Sequence, residues 1–380
     1  MDTTVRTSLR TLLAALLGFA SGCDDGRPEP AASKTATAAP VVDLRDTLRR
    51  TEPMVAAGLA RLAQAQHEDG SFYDAATREV RLGLSAIATL SLLADGNTEF
   101  RGRYADQVTR ALGFLLSCRV AEGERLGYLS AEGDTTSRMH GHALATLALT
   151  QAYGMTGVKR RGAGTSDRLG QTIRDAVAII VASQSPSGGW NYDPLDRLSD
   201  EGSLTVVMVQ ALRGAQNAGF TVSREVIDRA LDYIRKSQNS DGSVRYRLQG
   251  SDQSSFELTA AACATLAFAG SYRDLAVRQA RDHLWSQTFD TFLGPSAVFP
   301  WYGMYYAVLT LWFDYDHDRM SLYYPRIVDW YRQRYDPVTG GYEARSRIMN
   351  KEVVYGDLYR TAFATLTMQI PMGQLPIFER

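Results

Sequence analysis

The sequence is poor in the residues that build disulfide frameworks, metal centres and nucleic-acid surfaces. Three cysteines and five histidines are spread over 380 residues, too few for a disulfide scaffold. Lysine plus arginine number 41 and aspartate plus glutamate 42, for a net charge of −1. That balance provides no basic footprint and excludes nucleic acid as an expected partner. The one dense basic run, Lys159 to Arg161, stands in a Gly-rich loop and reads as a solvated face. No apolar run is long enough to span a bilayer, which takes about 20 residues.

One short apolar run is informative all the same. "TLLAALLGFA" follows Arg6 and Arg10 and leads into "ASGC". Residues 1–22 therefore read as an export signal. The end of this segment resembles a bacterial lipobox, in which Cys23 would be lipidated and become the mature N-terminus. Ala20 occupies a position more often held by Leu. An ordinary signal peptide with a chance cysteine is the competing reading. Residues 23–43 are rich in Pro, Ala, Ser and Thr with no apolar period, as a flexible tether would be. The expectation is a protein exported to the periplasmic face or cell envelope and held on a membrane by an N-terminal lipid. Its remaining cysteines, Cys118 and Cys263, lie in apolar runs and are expected to be buried free thiols.

Residues 44–380 form an internal repeat. "LARLAQAQHEDGSFYD", "AVAIIVASQSPSGGWNYD", "ALDYIRKSQNSDGSVRY" and "IVDWYRQRYDPVTGGYEA" share one plan: an apolar helical stripe, Gln in most copies, a Gly turn, then an aromatic or aliphatic residue. "ALGFLLSCRVAEGERLGY" is a degenerate copy with Cys118 in the Gln position, and "ARDHLWSQTFDTFLG" is another. Each is followed by a second stretch, such as "LGLSAIATLSLLA" or "FELTAAACATLAFA", that is apolar nearly all round and so is expected to be buried on every side. The first stretches are amphipathic. In 224–238, Val226, Ile227, Ala230, Leu231 and Ile234 share one face. About six hairpins with a period of roughly 50 residues predict an all-α fold in which apolar helices form an inner ring and amphipathic ones an outer ring, an α/α toroid.

The Gln–Gly–aromatic turn resembles the QW-type repeat of squalene cyclases and, more broadly, the toroid of terpenoid cyclases and protein prenyltransferase β-subunits. The resemblance covers about residues 50–375 and is clearest at "QSPSGGWNYD". It implies that Gln184 and Trp190 stack and tie an outer helix to the next inner one. A ligand-stacking platform at Trp190 is the functional alternative. The resemblance also directs attention to the heads of the inner helices, where free amides and the helix dipole favour acids. Asp200 and Glu201 stand at the third such head. The cyclase DxDD proton-donor motif is not reproduced there, and an N-cap is the plain alternative. His140 is a further catalytic candidate at the second head. His142, two residues on, does not share its helical face and is counted with the cavity lining.

Glu257, Tyr302, Tyr305, Asp357, Tyr359 and Arg360 complete the expected cavity lining, with Tyr355 near them. No Asp-x-Cys match to the prenyltransferase zinc site exists, so neither metal nor cofactor is implied. "DYDHD", Asp314 to Asp318, reads as a solvated turn. Three functions follow: a binding or scaffold protein for a small hydrophobic or carbohydrate ligand or a protein partner, preferred because no catalytic motif is intact; an isoprenoid cyclase-like enzyme with Asp200 or Glu201 as acid; and a glycosidase or lyase pairing Asp200 or Glu201 with Glu257 or Asp357.

Overall fold

A computed structural model describes residues 43–75, 77–156, 163–250, 253–271, 273–294, 297, 299–343, 347–348, 351–352 and 356–379. The signal segment, Cys23, the tether up to 42, the run Lys159–Arg161 and Tyr355 lie outside the described residues.

The described residues form paired helices. Outer α1 (Leu44–Ala65) precedes inner α2 (Arg81–Ala94). α3 (Ala105–Ser117) and α4 (Arg138–Thr156) form the second pair, α5 (Ala163–Ala182) and α6 (Gly202–Asn217) the third, and α7 (Arg224–Lys236) and α8 (Phe256–Leu266) the fourth. In the fifth pair the outer member is broken: α9 (Leu275–His283) passes through a π-helical turn into the short α10 (Phe289–Phe292), ahead of inner α11 (Pro300–Asp314). α12 (His317–Arg332) and α13 (Asp357–Gln369) close the set. The only strands among the described residues are a two-residue hairpin, Arg347–Ile348 with Lys351–Glu352.

Burial follows the apolar patterns. Every residue of α2 from Leu82 to Ala94 is buried. In α7 the expected stripe is buried, with Tyr233 added to it. The inner helices pack in the order α2, α4, α6, α8, α11, α13, and α13 returns to α2, so the inner ring is closed. Outer α12 packs against α1 and closes the outer ring. Cys118 and Cys263 are buried and free, as the sequence suggests, and burial pushes both thiols up to about 12.

The turns hold these rings together, in a way the sequence did not convey. Gln66, Gln184 and Gln238 each donate one amide hydrogen to a carbonyl of their own turn, at Gly70 (3.1 Å), Gly188 (2.8 Å) and Gly242 (3.1 Å). Each donates the other to the first turn of the next outer helix, at Gln107 (2.9 Å), Val226 (2.8 Å) and Ala276 (2.8 Å). The glutamine thus joins outer helix to outer helix, which corrects the expectation of an outer-to-inner tie. Gly188 sits at φ 101 against the backbone of Arg229, so neither its conformation nor the space around it admits a side chain.

Trp190 makes the outer-to-inner link instead. Its indole N–H donates to the Ile180 carbonyl of α5 (2.7 Å) and its backbone N–H to Thr205 Oγ1 of α6 (3.3 Å). Phe72 with Ser85 (2.9 Å) and Val244 with Thr259 (3.0 Å) repeat the second bond. Four of the turns also reach backward. Backbone or side-chain oxygens of Asp74, Asp134, Tyr192 and Tyr246 accept the N–H groups of Leu358, Leu82, Met139 and Gly202, all at the head of the preceding inner helix.

The far end of the ring is covered by the C-terminus. Leu375, Ile377 and Phe378 are buried. Ile377 N–H donates to Gln151 Oε1 (2.8 Å), and Trp312 Nε1 donates to the Phe378 carbonyl (2.7 Å). Asp314, beside this end, is not on a solvated turn as its sequence suggests. It is 3% exposed and paired with both Arg281 and Arg319.

Because Trp190 is wholly buried and hydrogen-bonded to two layers, Trp190→Ala should cost about 3–5 kcal/mol, and Gln184→Ala, which strips donors from two buried carbonyls, about 2 kcal/mol or more. Denaturant unfolding measures both. A Trp190→Ala variant as stable as wild type would reinstate the ligand-platform reading.

Candidate functional site

The inner ring opens on a polar cluster at its N-terminal end, built around Glu201. This residue is extended (φ −153, ψ 156) and immediately precedes α6. Its N–H donates to the Trp190 carbonyl (2.9 Å), so the repeat turn fixes its position directly. The carboxyl folds over the helix start and accepts from Ser203 N–H (2.8 Å), Leu204 N–H (2.6 Å) and Ser203 Oγ (2.7 Å). Short side chains usually fill this capping role, as Ser255 does for α8 through Leu258 N–H (3.1 Å). Glu201 is 1% exposed. Burial pushes its carboxyl up to about 7, against the lowering effect of the Ser203 and Leu204 bonds.

His140, on α4, faces this acid. Its Nε2 lies 3.8 Å from Glu201 Oε1 and 3.3 Å from Ser203 Oγ. Burial holds the imidazole down to about 4, so it is neutral at physiological pH. The Tyr192 ring stands 5.6 Å from it, centroid to centroid. The Tyr192 hydroxyl is hydrogen-bonded to that of Tyr246, which interacts in turn with Glu201. Tyr192 is placed by its own loop. Its carbonyl takes Met139 N–H (3.2 Å), while Asp193 pairs with Arg138 (2.7 Å), a residue held at φ 44.

Two tyrosines at other helix heads complete the cluster. Tyr302 of α11 and Tyr359 of α13 are half-buried, and so are His140, with 26% of its side chain exposed, and Leu144 one turn further along α4. His140, Tyr302 and Tyr359 are nonetheless enclosed deeply by protein. These side chains keep part of their surface open to water although protein surrounds them. The Tyr302 hydroxyl is fully buried and interacts with that of Tyr306. Its ring stands 4.6 Å from that of Tyr306, whose hydroxyl donates to Gln210 (2.9 Å). Glu257 is 5% exposed, and its Oε1 accepts Phe299 N–H (3.0 Å).

Other expected site residues are committed elsewhere. Asp200 faces away from Glu201, toward the repeat turn, where Ser185 (3.3 Å) and Ser187 donate to its carboxylate. His142 is structural. Its Nδ1 accepts Leu129 N–H (3.0 Å) and its Nε2 meets the Ala176 carbonyl of α5 (3.1 Å). It replaces both the inner-helix hydroxyl and the glutamine that this degenerate repeat lacks. Asp357 accepts Tyr342 N–H (3.3 Å) and pairs with Arg61 of α1 (3.0 Å), so it links the rings in the same manner. Arg360 donates from Nε to the Tyr342 carbonyl. Tyr305 packs in the core against Tyr306 and Phe363. The residues missed in the sequence were Tyr192, Ser203, Gln210 and Tyr246. Tyr192 and Tyr246 share a signal, since each stands two residues after its turn anchor, Trp190 or Val244.

Neither a family model nor a curated protein sequence matches the chain. Solved structures do. The apo type II terpene cyclase MstE from Scytonema superposes with a TM-score of 0.57 at 14% identity, covering 86% of this chain and 99% of that one. A GH76 α-mannanase from Bacteroides thetaiotaomicron gives 0.56 at 11% identity, covering 85% and 97%. Rex8A from Paenibacillus barcinonensis, in complex with xylose, gives 0.54 at 9% identity, covering 88% and 96%. The chain has the α/α-toroid fold. At these identities the likeness establishes the architecture shared with terpene cyclases and toroid glycosidases, and does not choose between their chemistries.

The raised Glu201 carboxyl gives the toroid a pH signature. Folding favours its protonated form, so its stabilising contribution is complete below the ordinary value of 4.5 and is lost as pH rises toward about 7. His142, held down to about 4, acts in the opposite direction, losing stability as pH falls from 6.5. Glu201→Gln keeps the His142 contribution and removes the Glu201 one. The variant should gain on wild type between pH 5 and pH 7.5 by on the order of 3 kcal/mol in urea unfolding. A pH-independent difference would show that Glu201 ionises normally.

Proposed function

We propose that this protein is an exported, lipid-anchored toroid that binds a small, mostly apolar ligand in a hollow at the N-terminal end of its inner ring. The observation that carries the reading is the group His140, Leu144, Tyr302 and Tyr359. These side chains come from three inner helices, and each stays partly open to solvent. Tyrosine rings and a leucine offer apolar surface, and a few polar groups orient what is bound. Export and anchoring rest on the segment that ends at Cys23, and among the described residues no helix is long and apolar enough to cross a membrane.

A second reading is favoured by one feature. Glu201 is a buried acid with a carboxyl near 7 at the head of an inner helix, so it is protonated in a substantial fraction of molecules at neutral pH. In that reading it donates a proton to a bound alkene, and the tyrosine faces stabilise the positive charge that forms. The glycosidase reading is less well supplied. Asp200 and Asp357 are committed to turn and ring contacts, which leaves Glu201 and Glu257 as the carboxyl pair.

Mass spectrometry of an organic extract of the purified protein tests the binding reading. Wild type should release an apolar molecule that Leu144→Trp, which fills the hollow, does not retain. Identical extracts from the two would overturn it. If the second reading holds, Glu201→Gln will keep the unconverted ligand where wild type holds its product. Anchoring is tested separately: Cys23→Ser should move the protein from the membrane pellet to the soluble fraction.

A further inference from the structure

We infer that the end of the toroid at which the inner helices finish is a lipid-facing surface, which lies against the bilayer that holds the anchor. This rests on the proposed anchoring at Cys23.

Connectivity builds the surface. Inner helices finish where outer helices begin, so the links between them gather at one end of the ring. Exposed apolar side chains recur on those links: Phe100 between α2 and α3, Leu275 at the start of α9, Tyr315 between α11 and α12, and Met372 after α13. Tyr315 ends α11 at φ 57, a backbone conformation that usually takes glycine at a helix end. Here it carries an aromatic ring held out to solvent. Tyrosine, with an apolar body and a polar tip, is enriched at the level of lipid headgroups.

Beside Tyr315 lies a pocket of about 170 Å³, walled by Leu44 and Leu48 of α1, Trp312, Met320 of α12 and Pro371. An apolar cavity of about 150 Å³ accommodates benzene, so this one has room for the end of an acyl chain. Asp316 also borders it. Its carboxylate accepts Arg319 N–H (2.9 Å) and pairs with the Arg319 guanidinium (3.4 Å), so lipid contact here strands no unpaired acid.

The place where the chain enters selects a bilayer as the partner. Leu44, on the pocket wall, is the first residue of α1 and directly follows residues 23–43, so the anchored segment joins the fold at this end. Apolar side chains that meet the same bilayer add their buried area to the hold of a covalent lipid. The exposed apolar residues of the other end, Leu126, Leu198 and Val338, stand on three separate repeat turns. Single residues of that kind are ordinary on a water-facing surface. With the docking end on lipid, the His140 and Tyr359 side chains stand at the end facing away from the bilayer.

Fluorescence on vesicles tests the orientation. Met372→Cys and Leu198→Cys are each made in the full chain and labelled with a nitrobenzoxadiazole dye. Cys118 and Cys263 are buried and do not compete for it, and the protein without an added cysteine gives the background. On phosphatidylcholine vesicles the Met372→Cys label should shift to the blue and brighten several-fold, while the Leu198→Cys label keeps its aqueous emission. Leu275→Glu combined with Tyr315→Glu should return the Met372→Cys label to aqueous emission without moving the melting temperature or releasing the protein from the vesicles. An aqueous Met372→Cys label on floated protein, or a Leu198→Cys label that responds as strongly, would overturn the inference and leave anchoring standing. A response that appears without vesicles and grows with protein concentration would mark a second copy on this face and overturn it too. Wild type that does not float with the vesicles would overturn anchoring and this inference together. Should the double variant fail to fold, the comparison of the two labels decides.

Discussion

The constraint on which this structure depends is the need to satisfy the amide groups at the buried heads of its inner helices. Every helix begins with N–H groups that have no partner within it. In an isolated surface helix water supplies the acceptors. In a closed inner ring water is largely excluded, so the protein must supply them. The toroid does so by making each turn face two ways. Tyr192 and Tyr246 give their carbonyls to the preceding inner helix, while Gln184 and Gln238 give their amides to the next outer helix. The ring closes because the last turn obeys the rule as well: Gly340 packs on the backbone of Ala57 in α1, and Asp74 of the first turn reaches Leu358 of α13.

The candidate site is a consequence of the same constraint. Most heads are capped by short side chains or by a neighbouring turn. α6 is capped by a glutamate, whose longer side chain brings a titratable group up to His140. The helix dipole and the amide donors favour the carboxylate, and removal from water favours the acid. With desolvation prevailing, the group sits near neutrality. A serine in that place, as at Ser255, would cap the helix as well and carry no chemistry.

The rings were legible in the sequence because burial on every side leaves helices such as 256–266 almost without polar residues, and because the Gln–Gly–aromatic turn recurs. The partners of that turn were not legible. Gln184 bonds to Val226, 42 positions away, and nothing local distinguishes this acceptor from a carbonyl on the next inner helix. The separation of Asp200 from Glu201 was hidden for a different reason. The two acids look equivalent in "SDEGS", yet the chain is extended there, so adjacent side chains point to opposite sides. One meets the outer turn and the other the inner ring. His142 was misread because the second repeat is degenerate. Once Cys118 has replaced the glutamine, an imidazole spanning two layers performs the glutamine's task, and a histidine so employed looks in sequence like a cavity group.

The two ends of the toroid are therefore unequal. At the C-terminal ends of the inner helices, Leu375 to Phe378 fill the space and Asp314 is locked between two arginines. At the N-terminal ends, His140, Tyr302 and Tyr359 stay partly open to solvent. A ligand bound there would take water from the partly open His140 beside Glu201 and add to the desolvation that already raises its carboxyl. Binding of an uncharged apolar molecule and protonation of Glu201 then favour one another, and the coupling needs no movement of either ring. The same coupling serves both proposed readings. In a binding protein it makes affinity fall as pH rises through neutrality, and in an enzyme it loads the proton donor only when a substrate is present.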